Sequence, residues 1–217
     1  MFPLHDANPR HGPSYVTWLL IGVNALIFFY MLSLTPLETE RFIFVYSFVP
    51  QFFFSDPLAS SYRLLSSMFL HGGLAHILGN MFFLYVFGDN IEERLGHGRY
   101  LLFCLAGGVV ATLAHGVFTP VSAVPLVGAS GAVSAILGAY IVLFPRQRVL
   151  TFIPPFFIFW LPAWIYLGYW ALIQVVEAVG GLVVVVGDGV AWWAHVGGFL
   201  FGTVLVRALA KPSPREG

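Results

Sequence analysis

Leu126-Val127-Gly128-Ala129-Ser130-Gly131-Ala132-Val133-Ser134-Ala135-Ile136-Leu137-Gly138-Ala139-Tyr140-Ile141-Val142-Leu143-Phe144 runs nineteen residues without a charge. As a helix rising 1.5 Å per residue it reaches about 28 Å, close to the roughly 30 Å of a bilayer's hydrocarbon core. Its head carries a serine between glycines, Gly128-Ala129-Ser130-Gly131. A second apolar stretch, sixty-five residues on, holds Ala194-His195-Val196-Gly197-Gly198. Polar groups at membrane depth are expensive and face a protein interior or a water-filled cavity, which makes them functional candidates.

Composition sets the class. The 217 residues are 59% hydrophobic and 9% charged, with a mean hydropathy of +0.85; a soluble domain carries roughly 25% charged residues. Six apolar stretches have spanning length: Tyr15–Leu34, Leu74–Ile91, Tyr100–Phe118, Leu126–Phe144, Phe156–Val176 and Val190–Val206. The expected fold is therefore all-α, a polytopic six-helix membrane bundle forming one domain over residues 1–217. Zero net charge argues against a nucleic-acid partner. The lone cysteine, Cys104, excludes an internal disulfide framework and reads as a small core residue. Met1–Ser14 is polar and contains Pro3, Pro9 and Pro13, so the first stretch reads as a retained span rather than a cleaved signal.

Charge gives the orientation. With six spans, Arg10, Arg94, Arg99, Arg146, Arg148, Arg207, Lys211 and Arg215 share one side, against Arg41 and Arg63 on the other. The positive-inside rule then puts both tails, 1–14 and 208–217, in the cytoplasm, with the plasma (inner) membrane as the expected location. The long connection Thr35–Gly73 contains Phe42–Val49 and Phe52-Phe53-Phe54 around Pro50. It is too short and broken to span, and reads as an interfacial or re-entrant external loop.

Depth links separate parts of the chain. At 1.5 Å per residue, Ser130 stands about 21 Å above Phe144, His195 about 18 Å above Arg207 and Asn80 about 18 Å above Glu92. His76, one turn before Asn80 on the same helix face, stands at about 24 Å. Each has an ordinary reading by itself. Small residues such as Gly198 and Gly202, spaced G-x-x-x-G, commonly mark helix packing, and a membrane serine commonly bonds a backbone carbonyl. Four polar groups brought to one level favour a site. The glycine seam would then let the His195 helix approach the Ser130 helix closely.

The chemistry is that of acyl transfer. A serine hydroxyl needs a base within hydrogen-bond reach; His195 can take its proton and return it to the leaving amine. The oxyanion needs fixed donors, which the Asn80 amide, a His76 ring nitrogen and the Ser130 N–H can supply. Asp89, Glu92 and Glu93 fall at the inner end of their helix, so the pattern is a Ser–His dyad rather than a triad.

These residues resemble the rhomboid family of intramembrane serine proteases, and the resemblance covers essentially the whole chain. Its G-x-S-G on the fourth helix matches Gly128–Gly131, and its histidine on the sixth matches His195, followed by Gly198 and Gly202. The histidine and asparagine four apart on its second helix match His76 and Asn80. The resemblance also implies structural roles for His71 and for Glu92-Glu93-Arg94-Leu95-Gly96. Tyr62-Arg63 stands where the family often has Trp-Arg. Ser134 stands where many members place an aromatic ring on the catalytic histidine, leaving Trp192, Trp193 or another aromatic to support His195.

By resemblance, the substrates are single-pass transmembrane proteins cut near the outer face, with the lipid bilayer as the other partner. The fifth helix, with Pro154, Pro155, Pro162 and the aromatics Phe156, Phe157, Phe159, Trp160 and Trp164, suggests a lateral gate. The loop Gly180–Gly189 suggests a cap. No cofactor or metal is expected: there is no H-E-x-x-H, and His71, His76, His115 and His195 lack tight ligand spacing. Asp89 and Asp188 would lie at opposite faces, against an aspartyl protease. The rival reading is a non-catalytic rhomboid-like scaffold that binds membrane helices, although such relatives lack the serine, the histidine or both. Nothing in the sequence sets an oligomeric state.

Overall fold

The computed structural model describes residues 1–9, 12–183 and 190–211, with the side chains of 182 and 183 excepted. The chain runs β1 (Phe2–Asp6), α1 (Tyr15–Ser33), α2 (Pro36–Tyr46), α3 (Pro50–Ser55), α4 (Pro57–Ser60), α5 (Arg63–Ser66), a 3₁₀ turn (Ser67–Phe69), α6 (Leu74–Leu95) and α7 (His97–Phe118). It continues through α8 (Ser130–Leu143), β2 (Arg148–Ile153), β3 (Phe157–Pro162), α9 (Ala163–Val183) and α10 (Trp192–Leu209).

The helical membrane bundle is present. The helices α1, α7, α9 and α10 are long and apolar enough to cross a membrane, and the segment Pro57–Phe69 with α6 qualifies as a pair bent by 81°. The short α8 sits at the centre, with every residue from Gly131 to Tyr140 buried. At fourteen residues it is only about 21 Å long. Being wrapped by α6, α7, α9 and α10 rather than by lipid, it does not need the length of a lipid-facing span.

Two expected spans begin later than their apolar stretches. The expected Leu126–Phe144 starts as a helix only at Ser130, because Gly128 has φ +121°. Leu126 instead pairs with Phe48 of the external loop, and the Gly128 N–H bonds the Ser67 carbonyl at 2.9 Å. The expected Phe156–Val176 divides into strand β3 and then helix α9. An apolar run alone does not distinguish strand from buried helix. Pro154, Pro155 and Pro162 disfavour helix around themselves, so the stretch between them is extended.

That strand belongs to a feature absent from the all-α expectation, an antiparallel sheet in the order β1-β2-β3. Residues Phe2–Asp6, read as part of a polar tail, pair with Val149–Phe152. The aromatics Phe157, Phe159 and Trp160 therefore lie on a hairpin strand, not on the fifth helix; Trp164 does lie on α9. The suggested cap, 180–189, falls mostly outside the described residues, as do Asp188 and 212–217.

The sheet, the α6–α7 turn and Lys211 gather at one end of the bundle. Arg94 donates to the Lys211 carbonyl at 3.0 Å, and Arg99 to that of Leu209 at 3.3 Å. Asn90 donates to Asp6 at 2.8 Å. The core at this end is aromatic: Phe87 meets Tyr140 edge-on with centroids 4.9 Å apart and stacks on Tyr166 at 6.2 Å. Cys104 is buried and free.

The first turn of α1 is held from outside its own helix. Ser14 at the N-cap makes no side-chain cap bond. Glu92 of α6 accepts instead from the Val16 N–H (2.8 Å), the Thr17 N–H (2.8 Å) and the Thr17 hydroxyl (2.7 Å). A carboxylate at a helix start answers both the free N–H groups and the positive end of the dipole. Gly96, with φ +78°, then ends α6 by donating to the Glu92 carbonyl at 2.7 Å.

Candidate functional site

Three helices begin at the opposite end of the bundle: α6 with His76 and Asn80, α8 with Ser130 as its first residue, and α10 with His195. The glycines set how closely they meet. A Cβ at Gly198 would collide with the Gly131 carbonyl, and one at Gly202 with that of Ala135. Gly131 follows Ser130 by one residue, and Gly198 follows His195 by three. This contact therefore holds the heads of α8 and α10 at one level. Gly138 on α8 meets α10 just as closely, at the Phe199 carbonyl.

Ser130 is half-buried and stands at the N-terminus of α8. The first backbone bond of this helix runs from Val133 N–H to the Ala129 carbonyl, so the N–H groups at its head have no intrahelical acceptor and attract negative charge. Ser130 and Ala194 line a cavity of about 10 Å³, near the size needed for one water. A cavity of about 1170 Å³ lies between α1, α2 and the start of α6, and neither Ser130 nor His195 lines it.

The turn before Ser130 is backed by α6. A Cβ at Gly128 would lie 2.6 Å from His76 Nε2 and 3.6 Å from Asn80 Nδ2. Asn80 is buried, and its Nδ2 has no hydrogen-bond partner among the described residues. A buried amide donor without an acceptor is uncommon in a folded protein and calls for an explanation. His71 is buried behind this pair, its ring edge-on to that of His76 with centroids 5.0 Å apart.

His195 is held by α9 and by aromatic rings. Its Nδ1 lies 2.7 Å from Gln174 Oε1. Trp170 tilts against it at 6.1 Å and Trp192 stands edge-on at 5.8 Å, whereas Trp193 stacks on Phe118. Ser134 gives no support to the ring; its hydroxyl donates to the Ser130 carbonyl at 2.6 Å. The sequence reading passes over Gln174 and Trp170. Their signal is present all the same, since Gln174 is a lone amide inside an apolar stretch and Trp170 lies one turn before it.

The external loop is tied down by the pair Tyr62-Arg63. The Tyr62 hydroxyl donates to the Val45 carbonyl at 2.8 Å, and Arg63 Nε donates to that hydroxyl at 3.2 Å. The guanidinium also lies over the rings of Phe44 (5.9 Å) and Phe52 (5.7 Å).

The profile of the Rhomboid domain matches residues 59–212. The rhomboid protease GluP of Bacillus subtilis (strain 168) is 33% identical over 145 residues, 65% of this chain and 27% of that protein. Rhomboid-like protein 11, chloroplastic, of Arabidopsis thaliana is 31% identical over 161 residues, 69% of this chain and 53% of that protein. Rhomboid protein 1, mitochondrial, of Saccharomyces cerevisiae is 26% identical over 148 residues, 66% of this chain and 40% of that protein. This chain thus spans about a quarter to a half of the length of these relatives. With the matched residues taking in the helices that carry Ser130, His195, His76 and Asn80, the chain is an integral membrane protein that belongs to the rhomboid family.

Proposed function

We propose that this chain is an intramembrane serine endopeptidase that cuts single-pass transmembrane proteins near the outer membrane face. Ser130 is the nucleophile and His195 the base. Attack moves the serine proton to His195, and the same proton passes to the leaving amine as the tetrahedral adduct collapses; water then repeats the cycle on the acyl-enzyme. Asn80, the Ser130 N–H and His76 stabilise the oxyanion. The observation that carries this reading is the buried Asn80 Nδ2, without a partner among the described residues, beside the turn that presents Ser130. A developing oxyanion would give that donor its acceptor. The excess of basic residues at the sheet end supports cytoplasmic termini, and the plasma membrane is the proposed location.

The test uses purified protein in liposomes with a tagged single-pass substrate. Wild type should cleave and should react with a fluorophosphonate probe. Folded Ser130→Ala should do neither, and His195→Ala should react far more slowly. Full cleavage by folded Ser130→Ala would end this reading. The scaffold alternative predicts substrate binding with no cleavage and no probe labelling by wild type.

A further inference from the structure

Gln174 lies in Trp170-Ala171-Leu172-Ile173-Gln174-Val175, an apolar turn of α9. It is 5% exposed, so both ends of its amide need partners. One end, Nε2, lies 3.2 Å from the Trp170 carbonyl on the same helix. The other end, Oε1, lies 2.7 Å from His195 Nδ1 on α10.

This pairing leaves one consistent assignment of hydrogens. A backbone carbonyl only accepts, so the amide nitrogen of Gln174 must face Trp170. The amide oxygen then faces the imidazole, and Nδ1 must carry the hydrogen between them. In a neutral imidazole the lone pair is therefore on Nε2. That is the tautomer a base for Ser130 needs.

We infer that Gln174 is a positioning residue of the catalytic machinery, an uncharged third member that holds His195 in its Nδ1–H tautomer with Nε2 free. This rests on the reading of His195 as the base. The Trp170 and Trp192 rings both pack near the imidazole, and Gln174 sets its tautomer and its rotation. Together they take the place of the ring that Ser134 cannot supply. An amide suits this depth because a buried carboxylate would carry a large desolvation penalty. Among the described residues, the titratable groups near enough to act on His195 are His76 of α6 and His115 of α7, and neither is an acid.

Two substitutions separate positioning from packing. Gln174→Met keeps the approximate volume and removes the acceptor. It should lower kcat about 10- to 100-fold, as expected for loss of a buried bond that orients a histidine, with KM unchanged. Gln174→Glu keeps an acceptor and adds a charge that favours imidazolium, so the acid limb of its kcat–pH profile should move to higher pH. Nitrogen NMR of 15N-histidine-labelled protein, with His195→Ala as the assignment control, reads the tautomer without turnover. Wild type should show Nδ1–H and pyridine-like Nε2, and Gln174→Met should show a mixture. Unchanged kcat and tautomer in Gln174→Met would overturn the inference, as would an unmoved acid limb in Gln174→Glu. Should wild type neither cleave nor react with the probe, the protease reading fails. The NMR comparison would still decide whether Gln174 sets the ring.

Discussion

The imidazole of His76 occupies the space into which a side chain at Gly128 would project. A Cβ there would stand 2.6 Å from Nε2 and 2.8 Å from Cε1 of that ring, and Gly128 has φ +121°. Glycine is thus required twice, for the backbone and for the space. Gly128→Ala should displace both His76 and the turn leading to Ser130. We expect kcat to fall about 10²-fold, the scale of a 1 Å misplacement, with inserted protein still recovered. Wild-type kcat in this variant would show that the turn does not hold the nucleophile.

Asn80→Ala tests the oxyanion donor separately from the fold. Removing one such donor costs about 10²–10³ in kcat, or roughly 2.7–4 kcal/mol. The loss should be smaller than that of Ser130→Ala, because the Ser130 N–H and His76 remain. Since Asn80 Nδ2 makes no hydrogen bond among the described residues, thermal stability should barely change. A variant that loses activity only by unfolding would mark Asn80 as a packing residue.

Glu92→Ala should act in the opposite way, on stability. It leaves the Val16 and Thr17 donors without their buried acceptor and frees His97, whose Nδ1 lies 2.6 Å from the carboxylate. Leaving a buried donor unsatisfied costs about 1–3 kcal/mol. The measurement is thermal or denaturant unfolding in detergent. The head of α1 should also exchange its amide hydrogens faster. Unchanged stability would show that α1 is held by packing alone.

Asp6 makes the sheet end sensitive to pH. Burial raises its carboxyl to about 6; the hydrogen bond donated by Tyr140 at 2.5 Å opposes this shift, and the nearby Asp89 adds to it. The folded chain therefore binds this proton more tightly than the unfolded chain, whose aspartate titrates near 3.9. The Asp6 contribution to stability is fully present below pH 4 and is lost as pH rises through 6. The Tm of wild type minus that of Asp6→Asn should accordingly fall between pH 4 and pH 6 and level off above. A difference that rises over this window would show that the Tyr140 bond outweighs burial.

Much of the candidate site is legible in the linear chain. Ser130, His195, His76 and Asn80 stand out because a polar side chain in an apolar stretch has few ordinary uses, and helical rise alone places them at one level. The Gly198 and Gly202 seam is legible for a similar reason, the small side chains recurring every fourth residue. What a linear reading misses depends on neighbours distant in sequence. Gln174 is one amide in an apolar turn until α9 and α10 bring it to His195, twenty-one residues away. The tail strand Phe2–Asp6 has no signal until Arg148–Ile153 offers it an edge.

The amino-acid sequence by itself determined the membrane bundle, the grouping of basic residues at one end and the identities of the candidate nucleophile and base. These follow from transfer free energy and helical rise, which act residue by residue. Only the tertiary structure decided where α8 begins, that Phe157–Pro162 is a strand, and which groups hold His195. Each of these depends on hydrogen bonds between separate segments: Gly128 to Ser67, β3 to β2, and His195 to Gln174. A backbone or side-chain donor is satisfied by whichever acceptor the fold brings near, and spacing along the chain does not encode that choice.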